Sequence, residues 1–142
     1  MKLIAHRGLM FGPDVNIENR PAQIDFAIKA GFDVEIDVWY LNGEIFLGHD
    51  RPDYKVNLDF LKRKEVWAHA KNLPALDFLL ENNVTCFWHE NDERTLTSNG
   101  YIWTYPNKAT TKKSIVVVFD STLDNVDKEN LYGVCGDYVA RW

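Results

Sequence analysis

Apolar and polar positions along this chain switch repeatedly between a period of two and a period near 3.6. Residues 2–5 (KLIA) are a short apolar run ending at His6 and read as a buried strand. A loop rich in Gly, Pro and Asn follows, GLMFGPDVNIEN. Ile24, Ala27 and Ile28 then fall at i, i+3 and i+4. That spacing predicts a helix capped by Asn19, with Pro21 in its first turn and Gly31 at its end. Residues 32–39 (FDVEIDVW) alternate strictly. Val34, Ile36 and Val38 share one face of a strand, and Asp33, Glu35 and Asp37 share the other. Asn42-Gly43 predicts a hairpin turn, and EIFLGHD returns as its second strand, ending in His49-Asp50.

Further along, residues 57–64 read as a short helix and 66–71 as a strand. Residues 72–83 read as a helix with Asn72 near its cap and Pro74 in its first turn. Strands are expected at 84–89, 101–106 and 114–120, a weak helix or turn at 124–131, and a last strand-like run at 133–140. The early alternation of strand and helix predicts an α/β chain with a parallel sheet or barrel. After residue 84 the helices almost vanish. No repeat, linker or low-complexity stretch interrupts residues 1–142, so a single domain is expected.

Composition narrows the class. With 142 residues, 46% of them hydrophobic, the chain suffices for a folded core. Its net charge of −5 argues against a nucleic-acid partner, and a phosphate-bearing substrate would need local compensation from a metal or a few placed cations. Cys86 and Cys135 each lie in an apolar run outside any CxxC pattern, which predicts buried free thiols. No run approaches the ~18 apolar residues of a membrane span. MKLIAHRG lacks the features of a signal peptide, and a cytoplasmic setting is expected.

Glu35 and Asp37, two apart on one strand, point the same way. If that strand is buried on both faces, two carboxylates meet inside, at high cost unless paired or metal-bound. Oxygen ligands of this kind suit magnesium or calcium. The alternative is a strand with one face in water. His6 and His49 each end a strand, where side chains of parallel α/β folds converge on one rim. Two histidines there can serve as base and acid in turn, and Arg7 can grip an anionic oxygen.

Taken in order, these segments resemble a known family. His6-Arg7-Gly8, Glu18-Asn19, Gly31-Phe32-Asp33-Val34-Glu35-Ile36-Asp37-Val38 and His49-Asp50 are similar to the N-terminal signature of the glycerophosphodiester phosphodiesterases, which belong with the phosphatidylinositol-specific phospholipase C-like TIM barrels. The likeness covers residues 4–50. It implies His6 and His49 as the acid/base pair, Arg7 on the phosphate, and Glu35 and Asp37 on a divalent metal. It also implies Glu18 as a group orienting the site and Asp50 as a structural partner.

Beyond residue 50 the likeness thins. VWAHAK aligns with the family's E-x-K strand, placing Lys71 on the phosphate-contacting lysine and His69 where the family has a metal-binding Glu. Either the imidazole replaces the carboxylate, favouring manganese or zinc, or His69 is an interior polar residue. GVCGDYV resembles the family's closing strand. A TIM barrel takes about 250 residues, so the expected architecture is a reduced (β/α) TIM-type barrel missing several outer helices in its second half. Bare strands would leave an apolar face around Tyr101, Ile102, Val116 and Val118, which predicts an interface and a homodimer. His89, with Glu90 and Asp92, is a supporting or loop residue. Trp88, Trp103 and Tyr105 are either core or an aromatic substrate wall.

The expected activity is metal-dependent hydrolysis of a glycerophosphodiester-like small molecule. Two alternatives stay open: another diester, such as a phosphosugar or surface-polymer precursor, or non-catalytic binding of a phosphate ligand on a decayed barrel.

Overall fold

In the computed structural model, which describes residues 1–142, the alternation at FDVEIDVW becomes the longest strand and the hub of the sheet. The chain runs β1 (Lys2–His6), α1 (Pro21–Lys29), β2 (Asp33–Leu41), β3 (Glu44–Leu47), β4 (Tyr54–Val56), α2 (Leu58–Leu61), β5 (Val66–Ala70) and α3 (Leu73–Glu81). It continues through β6 (Cys86–Phe87), β7 (Arg94–Leu96), β8 (Ile102–Thr104), β9 (Ser114–Val118) and β10 (Gly133–Gly136), with short 3-10 turns at Lys128–Asn130 and Val139–Arg141. No helix is long and apolar enough to cross a membrane.

Strands β6, β5, β2, β1, β10, β9 and β8 lie side by side in that order, all parallel. Three further strands are antiparallel: β3 on β2, β4 on β3, and β7 on β8. Strand β2 pairs with β1 only as far as Glu35, opposite His6. From Val38 onward β3 takes over that edge, while β5 holds the other. The result is a mixed, curled half-barrel of ten strands with few, short helices.

This overturns the expected reduced TIM-type barrel. A barrel needs a ladder that closes on itself. Here β6 has two residues and pairs only with β5. No ladder joins it to β7 or β8. The gap is spanned instead by isolated bonds: Ser98 N–H to Cys86 O at 2.8 Å, Cys86 N–H to Ser98 Oγ at 2.9 Å, and Thr95 Oγ1 to Trp88 O at 2.7 Å. The β8–β9 connection carries no helix and the β9–β10 connection only the 3-10 turn at Lys128–Asn130, so strand hydrogen bonding dominates there.

The period-two pattern sorts side chains into two cores. Val34, Ile36 and Val38 are fully buried on the outer face, with Ile24 and Ala27 of α1 and Ala75 and Leu79 of α3 in the same cluster. The inner face carries Ile4, Trp67, Phe87, Trp103, Ile115 and Cys135, an apolar plug inside the curl. On the outer face of β9 and β10, Val116, Val118 and Val134 are covered by Leu123 and Leu131 from the irregular segment after β9. The bare face expected at Val116 and Val118 is thus closed by the chain itself, and Tyr101 packs edge-on to Trp67. Of the four residues expected on a homodimer face, Val116 and Val118 are buried, while Tyr101 and Ile102 stay half-buried.

Cys86 and Cys135 are buried free thiols. Asn72 caps α3 as expected, accepting from Ala75 N–H. Asn19 does not cap α1: Arg20 holds that position, without a side-chain bond.

Candidate active site

Inward-facing residues step by two along each strand, so the positions just above the apolar plug form one layer. Strand β5 goes from Trp67 to His69. The chain goes from Phe87 to His89, from Trp103 to Tyr105 and from Cys135 to Asp137 at the ends of β6, β8 and β10. On β1 and β2, His6 is in register with Glu35, which pairs with Trp67 of the plug, and Asp37, one inward step further along β2, is in register with His69. His6, Arg7, Glu35, Asp37, His49, His69, Lys71 and His89 all line one cavity of about 370 Å³. Trp103 and Tyr105 line it too, whereas Trp88 packs against the outer core.

Glu35 and Asp37 are both buried, and their surroundings differ sharply. Asp37 is crowded with donors. Asn19 Nδ2 donates to its Oδ2 at 2.9 Å, and Arg7 Nε and His49 Nδ1 lie 3.2 and 3.5 Å from that oxygen. His69 Nδ1 and Lys71 Nζ lie 3.2 and 3.8 Å from its Oδ1. Burial alone would raise the Asp37 pKa, but the bonds from His49 and His69 and the Arg7 charge outweigh it and hold the carboxyl well below its usual range. Glu35 has one hydrogen bond, from the Arg7 N–H at 3.3 Å. Its pKa is raised, by burial first and the Asp37 charge second.

His6 is anchored from below. Its Nδ1 lies 2.7 Å from Asp137 Oδ1, which leaves Nε2 facing the acids, 3.9 Å from Glu35 Oε2. Burial would lower the His6 pKa, but the bond to Asp137 and the Glu35 charge raise it overall. Arg7 sits in left-handed backbone (φ 54°), and its guanidinium is shared between Glu18, at 2.9 Å, and Asp37. Gly8 follows because a Cβ there would press on Ile24 Cδ1 at 2.8 Å.

His49 ends the β3 hairpin at a tight turn. A Cβ on Gly48 would collide with the Arg51 carbonyl oxygen. Gly48 N–H donates to Asp37 O at 3.2 Å, and its carbonyl accepts from Trp39 Nε1 at 2.7 Å. Asp50 points outward, with its side chain 92% exposed and its Oδ1 3.7 Å from His49 Nε2. Glu18 and Asp50 lie outside the main cavity, along a neighbouring groove with His49. His89 stacks on His69 at 4.5 Å, and burial followed by the His69 charge lowers its pKa.

Two residues of the site have no role in the motif reading. Asp137 lies in the GVCGDYV run, two positions beyond inward-facing Cys135, and that period was the available signal. Asn19 reads as a helix cap. Its side chain is fully buried, and it both donates to Asp37 Oδ2 and accepts from the Asp37 N–H at 3.0 Å.

The donor set suits a divalent cation. Glu35, Asp37 and His69 each offer one ligand atom, and the three atoms lie within 4.8 Å of one another. Two buried carboxylates, one with a single long hydrogen bond, are the chemistry such an ion relieves. No family model, curated protein or solved structure matches this chain.

Proposed function

We propose that the protein is a metal-dependent phosphodiester hydrolase acting on a small glycerophosphodiester-like molecule. One observation carries this reading: four histidines, two buried carboxylates, an arginine and a lysine from separate segments converge on one cavity floored by an apolar plug. The resemblance of His6-Arg7-Gly8, Glu35-Ile36-Asp37 and Gly48-His49-Asp50 to the glycerophosphodiester phosphodiesterases supports the same chemistry.

Glu35 and Asp37 would hold the cation, which when bound neutralises phosphate charge and acidifies an attacking oxygen. Arg7, fixed by Glu18, and Lys71 bind the phosphoryl oxygens and offset a net charge of −5. Asp137 accepts a hydrogen bond from His6 Nδ1–H, so Nε2 is the nitrogen free to exchange a proton with substrate. His49 stands across Asp37 from His69 and serves as the partner in acid/base exchange. The apolar plug keeps water from the lower half of the site and strengthens each charge above it. Buried free thiols fit a reducing, cytoplasmic setting.

Glycerophosphocholine turnover, followed by phosphomonoester release, tests the reading. Metal-stripped protein should be inactive and regain activity with a divalent ion. Full activity in excess chelator would refute the metal role, and no release with any ion would refute the substrate class.

A further inference from the structure

The geometry points to His69 as the third metal ligand, and through it to a site that takes a borderline transition ion of the zinc class in preference to magnesium or calcium. This rests on the reading that Glu35 and Asp37 hold a cation.

Each carboxylate has one oxygen already engaged. Asp37 Oδ2 accepts from Asn19 Nδ2 and faces Arg7 Nε and His49 Nδ1. Glu35 Oε2 accepts from the Arg7 N–H. The remaining oxygens, Asp37 Oδ1 and Glu35 Oε1, both face His69 Nδ1, at 3.2 and 3.8 Å, with Lys71 Nζ a further 3.8 Å neighbour of Asp37 Oδ1 that an ion would displace. A tetrahedral ion with bonds of about 2.0–2.1 Å needs donors separated by about 3.4 Å, and the two distances bracket that value. Small shifts would bring all three atoms onto one ion and leave a fourth position for substrate or water.

Calcium fits this arrangement poorly. It takes about six to eight oxygens and often binds carboxylates through both oxygens at once. Here the second oxygens already accept hydrogen bonds, Asp37 Oδ2 from Asn19 Nδ2 and Glu35 Oε2 from the Arg7 N–H. Magnesium also prefers oxygen donors, in octahedral geometry. A nitrogen among three one-atom ligands shifts the preference toward zinc and its neighbours.

The imidazole is held for this task. His69 is the register partner of Asp37 on the adjacent parallel strand. Its ring lies nearly parallel to Phe87 (centroids 5.1 Å apart, 6°) and to His89 (4.5 Å, 15°). Tilting the ring out of this plane would break both stacks, and within the plane the edge carrying Nδ1 is the one turned to Asp37 and Glu35. A simple ion pair between His69 and Asp37 explains less: it leaves Glu35 Oε1 without a hydrogen bond on a side chain only 4% exposed.

Calorimetric titration of metal-stripped protein with zinc, manganese, magnesium and calcium tests this, using wild type, His69→Ala and His69→Glu. Cobalt(II) absorption reports the coordination geometry. Zinc should bind wild type about 100-fold or more tighter than magnesium or calcium, and cobalt should give the intense visible band of a tetrahedral site. His69→Ala should weaken zinc by about tenfold or more, and His69→Glu should move the preference toward calcium and magnesium by about tenfold or more. The Glu variant retains a ligand, so it remains informative if His69→Ala fails to fold. Zinc affinity in His69→Ala within about twofold of wild type would overturn the role of His69 while leaving the carboxylate site standing. No ion binding by folded wild type would overturn both.

Discussion

His6 Nδ1 and Asp137 Oδ1 lie 2.7 Å apart although 131 residues separate them in the chain. The contact exists because β1 pairs with β10, in register from Lys2 and Gly133 to Ala5 and Gly136. The next residue on each strand then brings imidazole and carboxylate together. The first and last strands of the sheet therefore build one imidazole–carboxylate pair.

Removing that carboxylate should act on the histidine. Asp137→Asn keeps the shape and deletes the charge. The His6 pKa, raised above its ordinary value of about 6.5, should fall, as NMR titration of the metal-free protein would read. A raised histidine pKa adds stability that is fully present below the unfolded value and lost as pH rises through the folded one. Urea midpoints of wild type and Asp137→Asn should therefore differ most below the ordinary histidine pKa and converge as pH rises through the raised one. Turnover should fall by about 10²-fold or more, since His6 loses the partner that orients it.

Asn19 should prove structural and functional at once. It occupies left-handed backbone (φ 59°) and brackets Asp37 with two hydrogen bonds. Asn19→Ala strands the Asp37 N–H in the interior and gives up a residue type that tolerates this conformation. The expected cost is about 2–4 kcal/mol by chemical denaturation, with weaker metal binding from a loosened Asp37. A loss below about 0.5 kcal/mol would show that Asn19 is not what fixes the acid.

Gly48 sets the position of His49. A methyl group there would meet the Arg51 carbonyl, in a backbone conformation (φ 153°) that side chains rarely adopt. Gly48→Ala should lower stability by about 1–3 kcal/mol and move His49 away from Asp37. The signature is a fall in kcat larger than any rise in KM. Unchanged kinetics would mean that His49 does not depend on this turn.

Leu131 covers the outer face of β9 and β10 with Leu123. Leu131→Ala should cost about 2–3 kcal/mol, because it opens a cavity over Val116 and Val134. Thermal unfolding checks it. A neutral substitution would mean that this face is covered by something other than residues 119–131.

Much of the site was legible because it is written in short periods. The alternation of Val34, Ile36 and Val38 with Asp33, Glu35 and Asp37 is a direct record of the pleat, and the structure settles in favour of burial on both faces what the spacing left open. His6 and His49 followed from strand ends, and the α3 cap from Asn72 preceding Pro74. What failed was long-range. Asn19 carries the same local signal as a helix cap, but its partner is 18 residues away. Asp137 finds its partner across the whole chain. The architecture erred for the same reason. Periodicity shows where strands occur, while barrel closure depends on a ladder that two-residue β6 does not make. Strand β7 (Arg94–Leu96) sits in a polar stretch that gave no apolar signal. The supposed bare face at Val116 and Val118 was covered by a segment without regular spacing.

The most direct test is hydrolysis of bis(p-nitrophenyl) phosphate by wild type and His49→Ala, stripped with chelator and then reconstituted with zinc or manganese. The account predicts turnover by wild type only with added ion, and a loss of about 10²–10⁴-fold in the folded variant under the same conditions. Turnover by wild type that neither needs metal nor changes in His49→Ala would contradict it, because the histidines and acids would then not be one working site.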